Sequence, residues 1–318
     1  LEASVRETGR TYFEKNEANP LEEDLIIVDE ASMLDISLFY HLLCALKDGA
    51  RLILVGDIDQ LPPVGAGEPL KDLMSWGYVP IVRLKRIFRQ EEGSGIVENA
   101  ALIRKGEMCV PDEAGEFRII YAADDEDAYR IVMDLCRELN YGNEENKMLL
   151  QVLSPMYRGV CGVDHLNKSL QEMIHGEKVP DGMKFFPGDK VMQTRNDYEK
   201  GIYNGDVGTV WTATPQKVFV RYFDKEVVYE GEERFDLRLA YAVTVHKSQG
   251  SEYETVIFIL RPSQHNMLQR NLLYTGVTRA RKNTILVTAP DALRRALAIQ
   301  HTGNRYSLFL PFLNHEAL

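Results

Sequence analysis

Short, wholly apolar runs alternate along this chain with segments whose apolar residues recur at helical spacing, and that alternation restricts the fold more than any other feature. The runs are Leu-Ile-Ile-Val at 25–28, Leu-Ile-Leu-Val at 52–55, and the stretches 149–153, 256–260 and 284–289. A strand apolar on both sides needs cover on both sides, as in a parallel sheet. Asp35 is placed to cap a helix carrying Leu38, Leu42 and Leu46 and ending near Gly49. Ser94 is placed to cap another, with Ile96, Val97, Ala100, Ala101 and Ile103, ending near Gly106. A strand over 117–121 precedes a helix bearing Ala128, Ile131, Val132, Leu135 and Leu139, and a last helix begins near 291. The pattern predicts βαβ units and an α/β fold with parallel sheets.

The texture changes near residue 184. Short alternating strands follow at 189–193, 207–212, 217–222 and 226–230, with a hairpin-type turn at Tyr203-Asn204-Gly205-Asp206. This predicts a small antiparallel β-barrel inserted over 184–236, with buried strands and helices returning from Ala240.

The 318 residues are enough for about two ordinary domains. A 45% hydrophobic, 27% charged composition excludes wholesale disorder. No uncharged apolar run reaches the ~18 residues that span a bilayer, so no membrane partner is expected. Cys44, Cys109, Cys136 and Cys161 lie far apart with no C-x-x-C pair, which favours a reducing, cytoplasmic setting over a disulfide framework. The first residues have no apolar core of a signal peptide and no Met, so the chain is expected to begin partway through a longer protein. Lys and Arg number 37 against 48 Asp and Glu, a net charge of −11. That disfavours a non-specific nucleic-acid coat but leaves room for a local basic groove.

The chemistry-bearing residues follow the strands. Leu25–Val28 runs into Asp29 and Glu30. A carboxylate at the C-terminal edge of a parallel strand sits where ligands bind in open α/β sheets. Asp29 could hold Mg²⁺ and Glu30 could polarise an attacking water; a solvated acidic pair is the plainer alternative. The second strand runs into Gly56-Asp57, then Gln60, then the stiff Leu-Pro-Pro-Val loop with Pro62 and Pro63. A Gln can touch a terminal phosphate without adding charge. Arg83, Lys85, Arg86 and Arg89 cluster; such a run is usually a solvated face, but arginine also stabilises a transferring phosphoryl group. Further on, Thr244, His246, Lys247, Ser248 and Gln249 crowd before Gly250, a set suited to phosphate-backbone contacts. No second His lies at metal spacing from His246. Arg279 and Arg281 close the series.

In this order VDEAS, GDIDQLPPVGAG, LKRIFRQ, LSPMYRG, TVHKSQGSE and YTGVTRAR resemble the motor region of RecD-like superfamily 1 DNA helicases, the exodeoxyribonuclease V alpha subunit and its relatives. The six segments run from residue 25 to residue 281. The resemblance implies ATP and Mg²⁺ as cofactors and two RecA-like motor domains of the P-loop NTPase fold, the first incomplete. It places the end of the first motor domain at 1–82, the second at 83–183 with 237–318, and a Src-homology-type barrel at 184–236. It implies Asp29 as the Mg²⁺ ligand, Glu30 as catalytic base, Gln60 as phosphate sensor, and Arg89 and Arg279 as arginine fingers. Asp57, Gly250 and Glu252 would line the nucleotide. Pro62, Pro63, Tyr157, Arg158, Thr244, His246 and Lys247 would face single-stranded DNA, with Asn204 and Lys200 as weaker candidates. The implied activity is ATP-driven translocation on single-stranded DNA and unwinding at a duplex junction, in recombination and repair, alone or with nuclease-helicase subunits.

One departure stands out. The family's G-x-x-x-x-G-K-[ST] phosphate loop does not occur in these 318 residues; GVCGVDHL lacks the Lys and GAGEPLKD has the wrong spacing. The phosphate-binding half of the first motor domain is therefore expected to lie outside this chain, which alone is expected not to turn over ATP. Two other readings stay open: a non-enzymatic DNA-binding or regulatory module, and the motor part of a conjugative relaxase-helicase.

Overall fold

The computed structural model describes residues 3–5, 11–84, 93–176, 183–300 and 309–314. The chain forms two compact units, one running to Arg86 and including the segment from His301, the other from Ile87 to Gln300.

In the first unit β1 (Ala3–Val5) and β2 (Thr11–Phe13) pair antiparallel, while β3 (Leu25–Val28) and β4 (Arg51–Leu54) pair parallel. The connection from β3 to β4 carries α1 (Ile36–Cys44), whose first turn is capped by Asp35 accepting from Leu38 N at 2.8 Å. α2 (Pro69–Trp76) follows β4. A short helix, Phe309–Leu313, packs on α2, and its Phe309 ring meets Phe39 of α1 edge-on at 5.8 Å. Sequence alone assigned that segment to the other unit. β3 and β4 also depart from expectation. They pair only with each other, and Leu25, Ile27, Ile53 and Val55 are exposed by 42–61%. Among the described residues nothing covers that face, and the opposite face is half-buried.

The second unit holds α3 (Gly95–Lys105), β5 (Phe117–Tyr121), α4 (Asp125–Glu138), α5 (Glu144–Leu149), β6 (Leu150–Ser154) and α6 (Val163–His175). Next come β7 (Lys190–Gln193), β8 (Val207–Ala213), β9 (Lys217–Arg221), β10 (Glu226–Glu230) and β11 (Leu237–Leu239). β12 (Ala242–Thr244), β13 (Tyr253–Leu260), α7 (Arg270–Val277), β14 (Ala280–Thr288) and α8 (Pro290–Ala298) complete it. An all-parallel sheet runs in the order β12-β6-β13-β14-β5. Its core joins Val152, Ile257, Ile259, Ile285 and Val287 to Val132 and Leu135 of α4 and Leu166 and Leu170 of α6. Ser94 starts α3, but its side chain does not cap it. Its hydroxyl donates to Glu116 Oε2 at 2.7 Å, and the same carboxylate accepts from Gly95 N at 3.1 Å.

Strands β7 to β11 form the inserted antiparallel sheet, in the order β10-β9-β8-β7-β11. The 3-10 turn Gly231–Asp236 carries the chain back so that β11 pairs with β7. The sheet thus extends through Leu239, beyond the 236 expected from sequence. It has its own core of Phe185, Val191, Ile202, Val210, Val220, Tyr229 and Leu237.

The chain crosses between the two sheets at 189–190 and 240–241, and Ala240 N donates to Lys190 O at 2.8 Å to tie the crossings together. Buried Asp189 accepts from Phe186 N (2.7 Å), Tyr241 OH (2.9 Å), His175 Nε2 (2.8 Å) and Gln171 Nε2. Lys190, fully buried beside it, donates to Leu150 O at 3.1 Å and Gln151 Oε1 at 2.9 Å. Burial, with the Lys147 charge behind it, pushes Lys190 down to about 7. The folded state then releases this proton near pH 7, whereas the unfolded chain keeps it to about 10.5. Stability therefore rises with pH across that window, by up to about 1.4 kcal/mol per unit. Lys190→Met is expected to flatten the rise; urea unfolding at pH 7 and pH 9 checks it, and an unchanged slope in the variant contradicts it.

Candidate functional site

The edge of the first unit is built by two strand ends held in contact. Val55 N donates to Val28 O and Ala31 N to Val55 O, each at 2.8 Å, which extends the β3–β4 pairing past the strands. Gly56 continues that approach: a Cβ there would lie 2.8 Å from Ser32 N and 3.2 Å from Ala31 N. Asp29 is exposed just beyond β3, and its Oδ1 accepts from Glu30 N at 2.8 Å. Glu30 has φ +50°, a left-handed conformation uncommon outside glycine, and it opens the 3-10 turn Ala31–Met33. Asp57 organises the neighbouring loop by accepting from Asp59 N at 3.0 Å, while Gln60 N donates to Asp57 O at 3.2 Å. Asp29, Glu30, Asp57 and Gln60 thus stand on adjoining turns at the C-terminal edge of one parallel pair.

The proline loop leaves from the same place. Pro63 is buried, Pro62 half-buried and Val64 88% exposed. Ile36 N donates to Ala66 O at 2.8 Å, and a Cβ at Gly65 would collide with the Asp35 carboxylate. The N-cap of α1 therefore also anchors the far end of the loop.

In the second unit the predicted residues separate to the two ends of the parallel sheet. Gly250 and Glu252 immediately precede β13, and Arg279 precedes β14. The Arg279 guanidinium, 2% exposed, donates to Thr275 O (3.1 Å) and Ser251 O (3.2 Å), joining TVHKSQGSE to YTGVTRAR. Glu252 accepts from exposed Arg281 at 2.8 Å. Thr244 instead ends β12, and Tyr157 and Arg158 follow the C-terminal end of β6. Thr244 lies opposite Ser154 and Thr255 opposite Leu150, four residues apart along β6, or about 13 Å at ~3.3 Å per residue. The 3-10 turn His246–Ser248 and Gly250, at φ +75°, make that crossing.

At the C-terminal end Thr244 is buried, and its Oγ1 accepts from Lys247 N at 3.3 Å. Lys247 Nζ donates to Asn204 Oδ1 at 2.5 Å, so the hairpin turn of the inserted sheet touches the motif turn. Burial first, then the charge of Arg238, lowers the Lys247 pKa. Tyr157 and Arg158 are exposed, and Arg238 lies over the Tyr157 ring, 5.7 Å from its centroid. Lys200 pairs with Glu233 at 2.6 Å inside the insert. Arg89 lies outside the described residues. Cys109, Cys136 and Cys161 are buried thiols pushed up to about 12, so none is a ready nucleophile. No group of three metal-ligating His, Cys, Asp or Glu residues occurs among the described residues, and no helix among them is long and apolar enough to cross a membrane.

Three family models match the chain: an AAA domain over 5–119, an ATP-dependent RecD-like DNA helicase SH3 domain over 166–222, and a UvrD-like helicase C-terminal domain over 239–287. The ATP-dependent RecD2 DNA helicase of Deinococcus radiodurans is 37% identical over 304 residues, covering 94% of this chain and 41% of its own length. The RecBCD enzyme subunit RecD of Mycolicibacterium smegmatis is 33% identical over 315 residues, covering 93% of this chain and 56% of its own. The chain belongs to the RecD-like superfamily 1 helicases. It spans about half the length of these curated relatives. The fold is also that of solved Pif1 helicases. A Bacteroides Pif1 structure in complex with ADP-AlF3 and single-stranded DNA matches with TM-score 0.56 at 20% identity, over 98% of this chain and 80% of that one. Pif1 from Candida albicans matches with TM-score 0.54 at 20% identity, over 92% and 77%.

In this RecD-like chain the sequence alone marks Gly56 only as part of the Gly56-Asp57 strand exit and gives Ser32 no role. Ser32 and Gly56 stand inside recognised motifs, but their contact is visible only once β3 and β4 are paired. Gly56→Val should drive a side chain into the Ala31–Ser32 backbone and cost about 1–3 kcal/mol. Thermal or urea unfolding of the first unit's transition reads this, and a variant as stable as the parent chain would remove Gly56 from this role.

Proposed function

We propose that this chain is part of an ATP-driven motor that moves on single-stranded DNA and unwinds duplex at a junction. The observation that carries the reading is the adjoining set of Asp29, Glu30, Asp57 and Gln60 on two strand ends that Gly56 holds in contact. An exposed carboxylate at a parallel strand end suits Mg²⁺, a hard cation that prefers oxygen ligands. The buried Ser32 hydroxyl, without a hydrogen-bond partner among the described residues, is a further oxygen at the same turn. Asp29 would hold Mg²⁺, whose charge would help neutralise the phosphates of ATP. Glu30, oriented by its left-handed backbone, would take the proton of the attacking water. Gln60 would bond the terminal phosphate without adding charge.

In the second unit Gly250, Glu252 and Arg279 would form the nucleotide-facing edge, with Arg89 as a second cation. Tyr157, Arg158, His246 and Lys247, at the opposite end of the sheet, would carry the DNA strand, and Thr244 would hold their turn. On this reading nucleotide and strand would lie at the two ends of the same parallel sheet, linked by the short turn from Thr244 to Tyr253. The RecD relatives are named as subunits of the RecBCD enzyme, which makes nuclease-helicase subunits natural partners for the longer protein.

The test is DNA-stimulated ATP hydrolysis by the full-length parent. Glu30→Gln should reduce it on the order of 10²–10⁴-fold, the usual weight of a general base, while leaving nucleotide binding in place. Hydrolysis unchanged in E30Q would overturn the assignment. The 318-residue chain, with no G-x-x-x-x-G-K-[ST] string, should show no hydrolysis above background. DNA-stimulated turnover by it would show that the phosphate cradle is supplied in another way.

A further inference from the structure

Buried Lys190, on the first strand of the inserted sheet, reaches the end of the parallel sheet where β6 and β13 begin. Its Nζ donates to Leu150 O, at the first residue of β6, and lies over two rings, 5.6 Å from the Tyr141 centroid and 5.5 Å from that of Tyr253. Tyr253 is buried and is the first residue of β13. It directly follows Glu252, and its N–H donates to Arg279 O at 2.9 Å. The Arg279 guanidinium donates back to Ser251 O at 3.2 Å, which closes a ring of contacts around Tyr253. Burial raises the Tyr253 hydroxyl above its ordinary value, while Ser251 and then the Arg279 charge act the other way, so that charge lies near the phenol.

The strand ladder alone holds this place weakly. Tyr253 pairs with Ala280 but Thr255 pairs with Asn283, so β14 takes up an extra residue between them, at Arg281 and Lys282. These two bridge the irregularity to Glu252 at 2.8 Å and Glu254 at 2.9 Å. On the other side, pairing with β6 begins only at Thr255. A bulge interrupts the ladder and re-aims the residues beside it. The aim of Glu252 and Arg279 therefore depends in part on side chains, and Lys190 is the one that reaches the Tyr253 ring from another sheet.

We propose that Tyr253 is a positioning residue for the nucleotide-facing edge: Lys190 of the inserted sheet holds its ring, and its own N–H holds Arg279. Tyr253 acts through Arg279 and Glu252. Without the ring, Lys190 has nothing to bear on at the start of β13, and the turn from Gly250 to Glu252 can shift against β14. An arginine stabilises a transferring phosphoryl group only from a place prepared in advance, and an error of about 1 Å can cost on the order of 10²-fold in rate. The inserted sheet thereby has a part in hydrolysis as well as its place beside the motif turns. This deepens the functional reading and rests on its placing of Arg279 at the nucleotide.

The experiment is DNA-stimulated ATP hydrolysis by the full-length parent, with the affinities for ADP and for ADP–aluminium fluoride measured on the same variants. Tyr253→Leu should lower kcat roughly tenfold or more while leaving KM for ATP and the ADP affinity within about twofold. ADP–aluminium fluoride imitates the transition state and should bind roughly tenfold more weakly. A protein that is merely less folded would lose ADP stoichiometry, and its folded remainder would keep the preference for ADP–aluminium fluoride. Tyr253→Phe keeps the ring and should recover most of both losses. Lys190→Met should give a smaller loss of the same kind. The double variant Lys190→Met, Tyr253→Leu should lose no more than Tyr253→Leu alone, because residues sharing one contact are not additive. Arg279→Ala is the control and should lower kcat at least as far. No hydrolysis by the unsubstituted parent, or hydrolysis that Arg279→Ala leaves unchanged, overturns the placing of Arg279 at the nucleotide and this inference with it. An impaired Arg279→Ala beside an unimpaired Tyr253→Leu overturns this inference alone. So do additive losses in the double variant, or a Tyr253→Phe as impaired as Tyr253→Leu. If Tyr253→Leu does not fold, Lys190→Met decides: kcat and ADP–aluminium fluoride affinity both unchanged in it overturn the inference.

Discussion

The second unit depends on two adjacent buried titratable residues, Asp189 and Lys190. They lie where the chain passes from the parallel sheet into the inserted one, and each is satisfied mainly from the parallel-sheet side. Asp189 collects Gln171 and His175 from α6 and Tyr241 from the returning crossing. Lys190 reaches Leu150 and Gln151 of β6. A buried carboxylate with four donors is costly to disturb, because removing a donor leaves desolvated charge behind. Two chain crossings braced in this way make a stiff joint. A stiff joint would make the inserted sheet a fixed outrigger, with Arg238 of β11 over the Tyr157 ring after β6 and Asn204 of its hairpin turn bonded to Lys247 after β12.

A short connection also joins the two ends of the parallel sheet. β12 is three residues long, and the chain then returns to the start of β13 through a 3-10 turn and a left-handed glycine. Arg279 ties down the end of that return through Ser251 O. A displacement at the Gly250–Glu252 edge has few residues in which to be absorbed before it reaches Lys247. In the first unit Gly56 has the corresponding place, since its missing side chain lets the two acid-bearing turns touch.

Much of this was legible in the residues, for identifiable reasons. The long parallel strands announced themselves because β6, β13 and β14 are buried nearly throughout. The inserted strands β8 to β10 alternate cleanly, with Val210, Val220, Val227 and Tyr229 inward. α6 was not read, because its core face carries Asn167 and Gln171 beside Leu166 and Leu170. Those amides are buried to serve Ala242 and Asp189, partners distant in sequence. The apolar runs of β3 and β4 predict cover on both faces, because composition cannot say whether a neighbour is present. Ser94 has the right identity for a cap, but Glu116, 22 residues away, takes the amide. At the site, the motif residues were visible one by one. Their separation to opposite sheet ends depends on pairings that only the fold supplies.

The measurement that bears most directly on the stiff joint is native-state amide hydrogen exchange across the two crossings. Ala240 N and Val210 N, bonded to Lys190 O and Asp189 O, are the reporters, against core amides of β6 and β13. A fixed outrigger predicts that the crossing amides open with the same free energy as the parallel-sheet core. Crossing amides that exchange far faster than both sheets would show a hinge, and would contradict the account.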